Sequence, residues 1–129
     1  MTTFDALADE GFISLTTFRK SGVGVPTTVW VARDGDALLV TTPRGSGKVK
    51  RLRNDDRVEM TSSSRFGKVD DDAPTVSGTA EVLDDDDARR RTNEVMQAKY
   101  GLEYRVMMGL EKLGRKGDDN RVILRITRG

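Results

Sequence analysis

Three β-type stretches crowd into residues 11–42, and no other feature of the sequence constrains its fold as much. From Gly11 to Phe18 the run GFISLTTF alternates, with Ile13, Leu15 and Thr17 on one face and Phe12, Ser14, Thr16 and Phe18 on the other. The basic, glycine-containing RKSGVG that follows reads as a turn. It leads into VPTTVWVAR, rich in β-branched residues, whose alternation sets Thr28 and Trp30 against Thr27, Val29 and Val31. Pro26 lies near the start of this stretch, where a strand tolerates proline. Asp34-Gly35 then separates it from ALLVTT. Asp-Gly between two apolar runs predicts a hairpin, because both turn positions want positive φ.

After Thr42 the segment PRGSGK opens VKRLRN, whose Val49/Leu52 spacing is helical. RVEMTSS (57–63) and TVSGTAEVL (75–83) are two more strands, the second with Val76, Gly78, Ala80 and Val82 facing inward. Four aspartates, Asp84 to Asp87, precede the helical ARRRTNEVMQAKYG, which ends at Gly101. A metal site is one reading of the acidic run. Capping and solvation at a helix start is preferred, because nothing nearby supplies further ligands. LEYRVMMGLEKLG reads as a second helix with Leu102, Val106, Leu110 and Leu113 on its buried stripe, and Met107 and Met108 as core or interface filler. RVILRIT (121–127) closes the chain as a strand. Six antiparallel strands in one short domain spanning 1–129 favour a mainly β fold, a closed or nearly closed barrel with flanking helices, which hides strand edges.

Composition narrows the function. Neither His nor Cys occurs, which removes disulfides, thiolate catalysis, soft metal ligands and the commonest general base. An enzyme built this way relies on a bound cofactor for the difficult step. Lys plus Arg total 22 against 21 for Asp plus Glu, and this net charge of +1 predicts no broad attraction to nucleic acid or membrane. One tryptophan and four phenylalanines also offer few platforms for stacked bases. The amino terminus shows no basic start followed by an apolar stretch, so a cytoplasmic location is the expectation.

The chemistry concentrates in TTPRGSGKVKRLRN, Thr41 to Asn54. Here Arg44, Lys48, Lys50, Arg51 and Arg53 stand beside two glycines and the hydroxyls of Thr41, Thr42 and Ser46. Such a loop opening a helix aims free backbone N–H groups, a positive dipole end and cations at one point, which suits a phosphate. A solvated basic helix is the alternative. On the helical wheel Lys48 and Arg53 flank the buried Val49/Leu52 side, with Lys50 and Arg51 further round. A nucleotide-hydrolysing P-loop does not fit, because Thr42 and Val49 stand where that pattern needs Gly and Ser or Thr. Thr28 and Trp30, on a strand expected to pair with the one feeding this loop, would line a slot for a flat ring. A core or interface tryptophan remains the other reading.

These residues also carry a resemblance. The run LTTFRKSGVGVPTTVWVARDGDALLVTTPRGSGKVKRLRNDDRVEM, continuing through GTAEVLDD and KYGLEYR to VILRIT, resembles the pyridoxamine-phosphate-oxidase-like proteins of actinobacteria assigned as coenzyme F420-dependent enzymes. The TTFRKxG opening, the P-x-x-VW strand, the DGD turn and the SGKVKRLRN helix are its most specific pieces. The resemblance implies a split β-barrel like that of FMN-binding proteins, assembled as a homodimer with cofactor sites along the subunit interface. It implies that Ser46, Lys48 and Lys50 hold the cofactor phosphate and that Thr41 and Thr42 support the ribityl side. Val25, Thr28, Val29 and Trp30 would line the ring slot. The wheel and the resemblance agree on Lys48 and differ on Arg53 against Lys50, so both stay. The implied activity is hydride transfer between the deazaflavin F420 and a small organic substrate. The protein would contribute positioning and exclusion of water rather than a catalytic side chain. FMN in the same site, making a flavin reductase or oxidase, and a non-catalytic carrier are the alternatives. The chain ends in ITRG without the R-L-x-P signature of pyridoxamine phosphate oxidase proper, so no pyridoxal phosphate chemistry is expected.

Overall fold

The structure, a computed structural model, describes residues 4–64, 67–106 and 121–128. Its elements run α1 (Phe4–Leu7), β1 (Phe12–Phe18), β2 (Gly24–Val29), β3 (Ala32–Asp34), β4 (Ala37–Pro43), α2 (Gly47–Asn54), β5 (Arg57–Ser63), β6 (Val76–Leu83), α3 (Asp86–Tyr100) and β7 (Arg121–Arg128). The strands form one antiparallel sheet in the order β2-β1-β5-β6-β7-β4-β3. Seven strands laid flat would hold the edge strands about 29 Å apart. Only Trp30 and Val31 separate β2 from β3 in the chain, a reach of about 11 Å at most. The sheet therefore curls, bringing the ends of its two edge strands together at Trp30 and Val31, while the edges stay unpaired and the sheet open. The expected barrel is present, with the VPTTVWVAR arm divided in two, so the ladder counts seven strands rather than six.

Alternation places the core as expected. Ile13, Leu15, Val40, Val58, Met60 and Leu124 are among the residues that fill the barrel, and Val76 and Val82 pack against them. Gly78 faces this core because a Cβ there would lie 2.8 Å from the Thr127 carbonyl oxygen and 3.2 Å from Met60 Cε. Two short helices complete the core. Phe4 and Leu7 enter from α1, a helix that local sequence does not announce, Ala8 follows it directly, and Leu52 enters from α2. α1 precedes β1, whereas Arg51 of α2 reaches Thr17 near the end of β1, so the two helices lie at opposite ends of that strand.

α3 packs outside, against β3, β4 and β7. Its start realises the capping reading of the aspartates. The Asp85 side chain accepts a hydrogen bond from the Ala88 amide at 3.0 Å, with Asp86 and Asp87 in the first turn, and Gly101 ends the helix at positive φ. Residues 102–106 are helical, but the expected stripe is not what they bury. Leu102 is 74% and Val106 52% exposed, while Tyr104 turns inward against Trp30 and donates to Asn93. Burying Tyr104 turns the positions two residues to either side toward solvent. Met107, Met108, Leu110 and Leu113 lie outside the described residues. The hairpin differs in one detail. Asp34 pairs with Ala37, so the loop is Gly35-Asp36, and Gly35 alone has positive φ. That matches a turn with glycine at its first central position rather than two positive-φ residues.

Candidate functional site

The basic turn forms where β4 ends. The Ser46 amide donates to the Pro43 carbonyl oxygen at 3.1 Å, and α2 begins at Gly47. Ser46 is the N-cap, yet its side chain makes no capping hydrogen bond. Its hydroxyl instead lies 3.3 Å from that of buried Thr42. No acidic residue occupies the first turn of α2, so its positive end meets no counter-charge of its own.

Lys48 is half-buried at this point. Burial holds its pKa below the ordinary lysine value, and the charges of Arg51 and Arg121 press it further down. No carboxylate of the described residues is among the charges acting on it. Arg51 folds back along α2, and its Nε donates to the Thr17 hydroxyl at 2.6 Å. Its guanidinium occupies the space above Gly47, where a Cβ would lie 2.7 Å from Nη1. Arg121 opens β7 opposite Pro43 and donates twice to Thr41, from Nε to the hydroxyl and from Nη2 to the carbonyl oxygen, both at 2.9 Å. Three cations from two elements and the hydroxyls of Thr17, Thr41, Thr42 and Ser46 thus gather around the start of α2.

The remaining cations of the run point elsewhere. Arg44 holds Asp84 through Nε at 3.0 Å and Nη2 at 2.5 Å, and Arg89 donates to the same carboxylate at 2.8 Å. These hydrogen bonds keep the Asp84 carboxyl well below the usual carboxylate range. Lys50 and Arg53 are exposed on α2.

The expected pairing of the Trp30 arm with the strand feeding the turn requires correction. β2 pairs with β1, and only β3 pairs with β4, because the chain crosses from one barrel edge to the other at Trp30 and Val31. Val25 lies opposite Thr17, the acceptor of Arg51, and so stands at the cationic end. Thr28, exposed, and Val29, buried, lie further along, opposite Ser14 and Ile13. Trp30 follows, about 16 Å along the strand direction from Val25. It stacks on Tyr100 at 4.6 Å and meets Phe12 edge-on at 6.2 Å, in the cluster beneath α3.

The family pattern described as pyridoxamine 5'-phosphate oxidase matches residues 3–128. The chain belongs to this family. Among solved structures its fold is shared with a conserved hypothetical protein of Mycobacterium tuberculosis, at TM-score 0.68 and 24% identity over 99% of this chain and 81% of that one. An F420 reductase matches at TM-score 0.63 and 18% identity, over 100% and 95% of the two chains. HutZ, a heme storage protein of Vibrio cholerae, matches at 0.67 and 11%, over 95% and 84%. At these identities the likeness is one of fold. No curated protein sequence matches the chain.

In this member of the pyridoxamine 5'-phosphate oxidase family, Thr41, Thr42, Ser46 and Lys48 come together at the turn. Val25 reaches them through Thr17 and Arg51. Thr28 and Val29 extend away along β2 with Trp30 just beyond its end, and Lys50 and Arg53 face solvent. Sequence reasoning undervalued Arg51, because a wheel records where Cα sits and not how far a long side chain folds back. It missed Arg121 altogether, whose nearness to the turn exists only once β7 pairs with β4.

Proposed function

We propose that the chain is an oxidoreductase that holds the deazaflavin F420 by its phosphate at the basic turn and acts on a small organic substrate as a cytoplasmic homodimer. The half-buried Lys48, set among cations and hydroxyls with no carboxylate of the described residues among the charges acting on it, carries this reading. Membership of a family of flavin-like cofactor binders supports it, as does the shared fold of an F420 reductase. No helix among the described residues is long and apolar enough to cross a membrane. The residues present fit an anionic tail. Ser46 and Lys48 would hold the phosphate, with Lys50 and Arg53 adding charge from the outer side of α2. Thr41 and Thr42 would support the polyol chain, and Val25, Thr28, Val29 and Trp30 would border the ring. The bound cofactor supplies or accepts a hydride. The chain's own residues bind it, orient it and exclude water, in keeping with a sequence that has neither His nor Cys.

The crowding of cations favours one second reading, because a doubly charged phosphate monoester gains more from it than a singly charged diester does. FMN would then occupy the same place, in a flavin reductase or oxidase. Fluorescence titration with F420 and with FMN separates the two. F420 is expected to bind the more tightly, and Lys48→Ala is expected to weaken binding by about tenfold or more, the scale of one charge-assisted hydrogen bond. Tight binding of FMN alone would move the assignment to FMN, and binding of neither would end both readings. Binding without oxidation of the reduced cofactor by any acceptor would leave a carrier, a role compatible with the fold shared with a heme storage protein.

A further inference from the structure

We infer that the cleft between the end of β5 and the turn after it binds a small zwitterion of the amino-acid kind, and so anchors the charged end of the substrate beside the ring. That its guest is the substrate rests on the ring lying along β2, as proposed above, whereas the zwitterion site rests on the cleft alone. The cleft holds about 280 Å³, and its walls are Glu10, Ser62, Ser63, Ser64, Lys68 and Asp70. All six are polar or charged. Pockets for drug-sized ligands run from about 300 Å³ upward and are mostly apolar, so this one suits a smaller and more polar guest.

The turn that carries Lys68 is held by its own hydrogen bonds. The Ser64 amide donates to the Lys68 carbonyl oxygen at 2.9 Å, the Lys68 amide to the Ser64 hydroxyl at 3.0 Å, and the Gly67 amide to the Ser64 carbonyl oxygen at 3.0 Å. Gly67 has positive φ, and its bare side lies against β2, where a Cβ would stand 2.8 Å from the Thr28 hydroxyl oxygen. Ser63 pairs with Phe12, which meets Trp30 edge-on. The cleft therefore adjoins Thr28 and Trp30, at the end of β2 remote from the cationic turn.

Glu10 and Asp70 bring carboxylates to this cleft and Lys68 an ammonium, yet among the described residues none of the three makes an ion pair. Opposite charges that share a cleft without meeting are each satisfied by one guest carrying both signs, its carboxylate toward Lys68 and its ammonium toward the acids. Serine hydroxyls donate and accept, so they serve either end. A guest of one sign would be repelled by one side of the cleft. Glu10 also faces the charge of Lys99, which makes Asp70 the cleaner carboxylate to remove.

The test uses L-norvaline as the probe, beside butylamine and pentanoate, which keep its carbon chain and carry only its ammonium or only its carboxylate. Amide shifts of Ser62, Ser63 and Lys68 in a nitrogen–proton NMR titration read occupancy without cofactor. Norvaline should move these signals with a dissociation constant on the order of 1 mM, and each single-charge analogue should bind about tenfold more weakly. Lys68→Gln should weaken norvaline and pentanoate by about threefold or more without weakening butylamine. Asp70→Asn should weaken norvaline and butylamine and spare pentanoate, a crossed pattern that a purely structural role would not produce. Asp71→Asn, an exposed neighbour outside the cleft, should leave all three within about twofold. Equal affinity for the three probes, no movement of these amides with norvaline, or variants that fail to sort the analogues by charge would overturn the inference. Fluorescence titration of F420 and FMN keeps the two readings apart. Norvaline binding while both cofactors are ignored would uphold the zwitterion site and remove the redox role of its guest, whereas cofactor binding with norvaline ignored would overturn the site and leave the redox reading standing.

Discussion

Lys48 sets the pH dependence of the site. Its pKa is lowered by burial and by Arg51 and Arg121, and an anion binds its protonated form. On the lysine's side, affinity should therefore be full near neutral pH and fall as pH rises through the lowered value, before the ordinary 10.5 is reached. A cofactor dissociation constant measured from pH 7 upward checks this, and a midpoint at or above the ordinary value would contradict it. Gly78 answers to sterics rather than charge. Adding a Cβ sets it 2.8 Å from a backbone oxygen of β7, which cannot retreat as a flexible side chain would. Gly78→Ala should cost about 1–3 kcal/mol in denaturant unfolding with little change in slope.

At the scale of elements, α2 and α3 start in opposite ways, and the contrast separates stability from function. α3 has a side-chain cap and acidic residues at its positive end, whereas α2 has cations there and a serine whose hydroxyl turns to Thr42 instead of capping. Asp85→Ala should lower stability by about 1 kcal/mol without altering cofactor affinity, read from paired unfolding and binding measurements. Asp84 ties α3 to the turn through Arg89 and Arg44. Its folded pKa lies below the unfolded one, so its contribution is present above the ordinary carboxylate range and disappears as pH falls through the folded value. Legibility followed the same division between local and distant causes. The alternation of β1, the buried Val49 and Leu52 of α2, the aspartate cap and Gly101 are written within a few residues of where they act, and reading the chain found them. The inward turn of Tyr104, the exposure of Leu102 and Val106, and the approach of Arg121 to Thr41 depend on segments far apart in sequence. Periodicity carries no trace of these.

For the whole molecule, the decisive point is where the chain passes between the two unpaired edges of the sheet. Trp30 and Val31 cross between them, and the end of α3 is fastened over that crossing. The Lys99 ammonium donates to the carbonyl oxygens of Ala8, Glu10 and Val31 at 2.7, 2.5 and 2.6 Å. The Tyr100 hydroxyl accepts from the Val31 amide at 3.1 Å and lies 2.8 and 2.9 Å from the carbonyl oxygens of Gly11 and Val31. One pair of side chains thus joins the segment between α1 and β1, the crossing and α3. Burial disfavours the Lys99 charge, and the three carbonyl oxygens offset that cost. Lys99→Met would keep the apolar stem and leave those oxygens without their shared donor. The expected loss is about 2–4 kcal/mol, larger than for Tyr100→Phe, because a charged donor serves three acceptors. Trp30, the sole tryptophan, stacks on Tyr100, so its fluorescence reports whether α3 stays docked. In Lys99→Met the tryptophan signal and amide exchange at Val31 should show loosening at denaturant concentrations where far-UV dichroism still reads a folded sheet. Coincident transitions by all three probes would mean that the crossing is held by barrel packing alone and that the α3 clasp is incidental to closure.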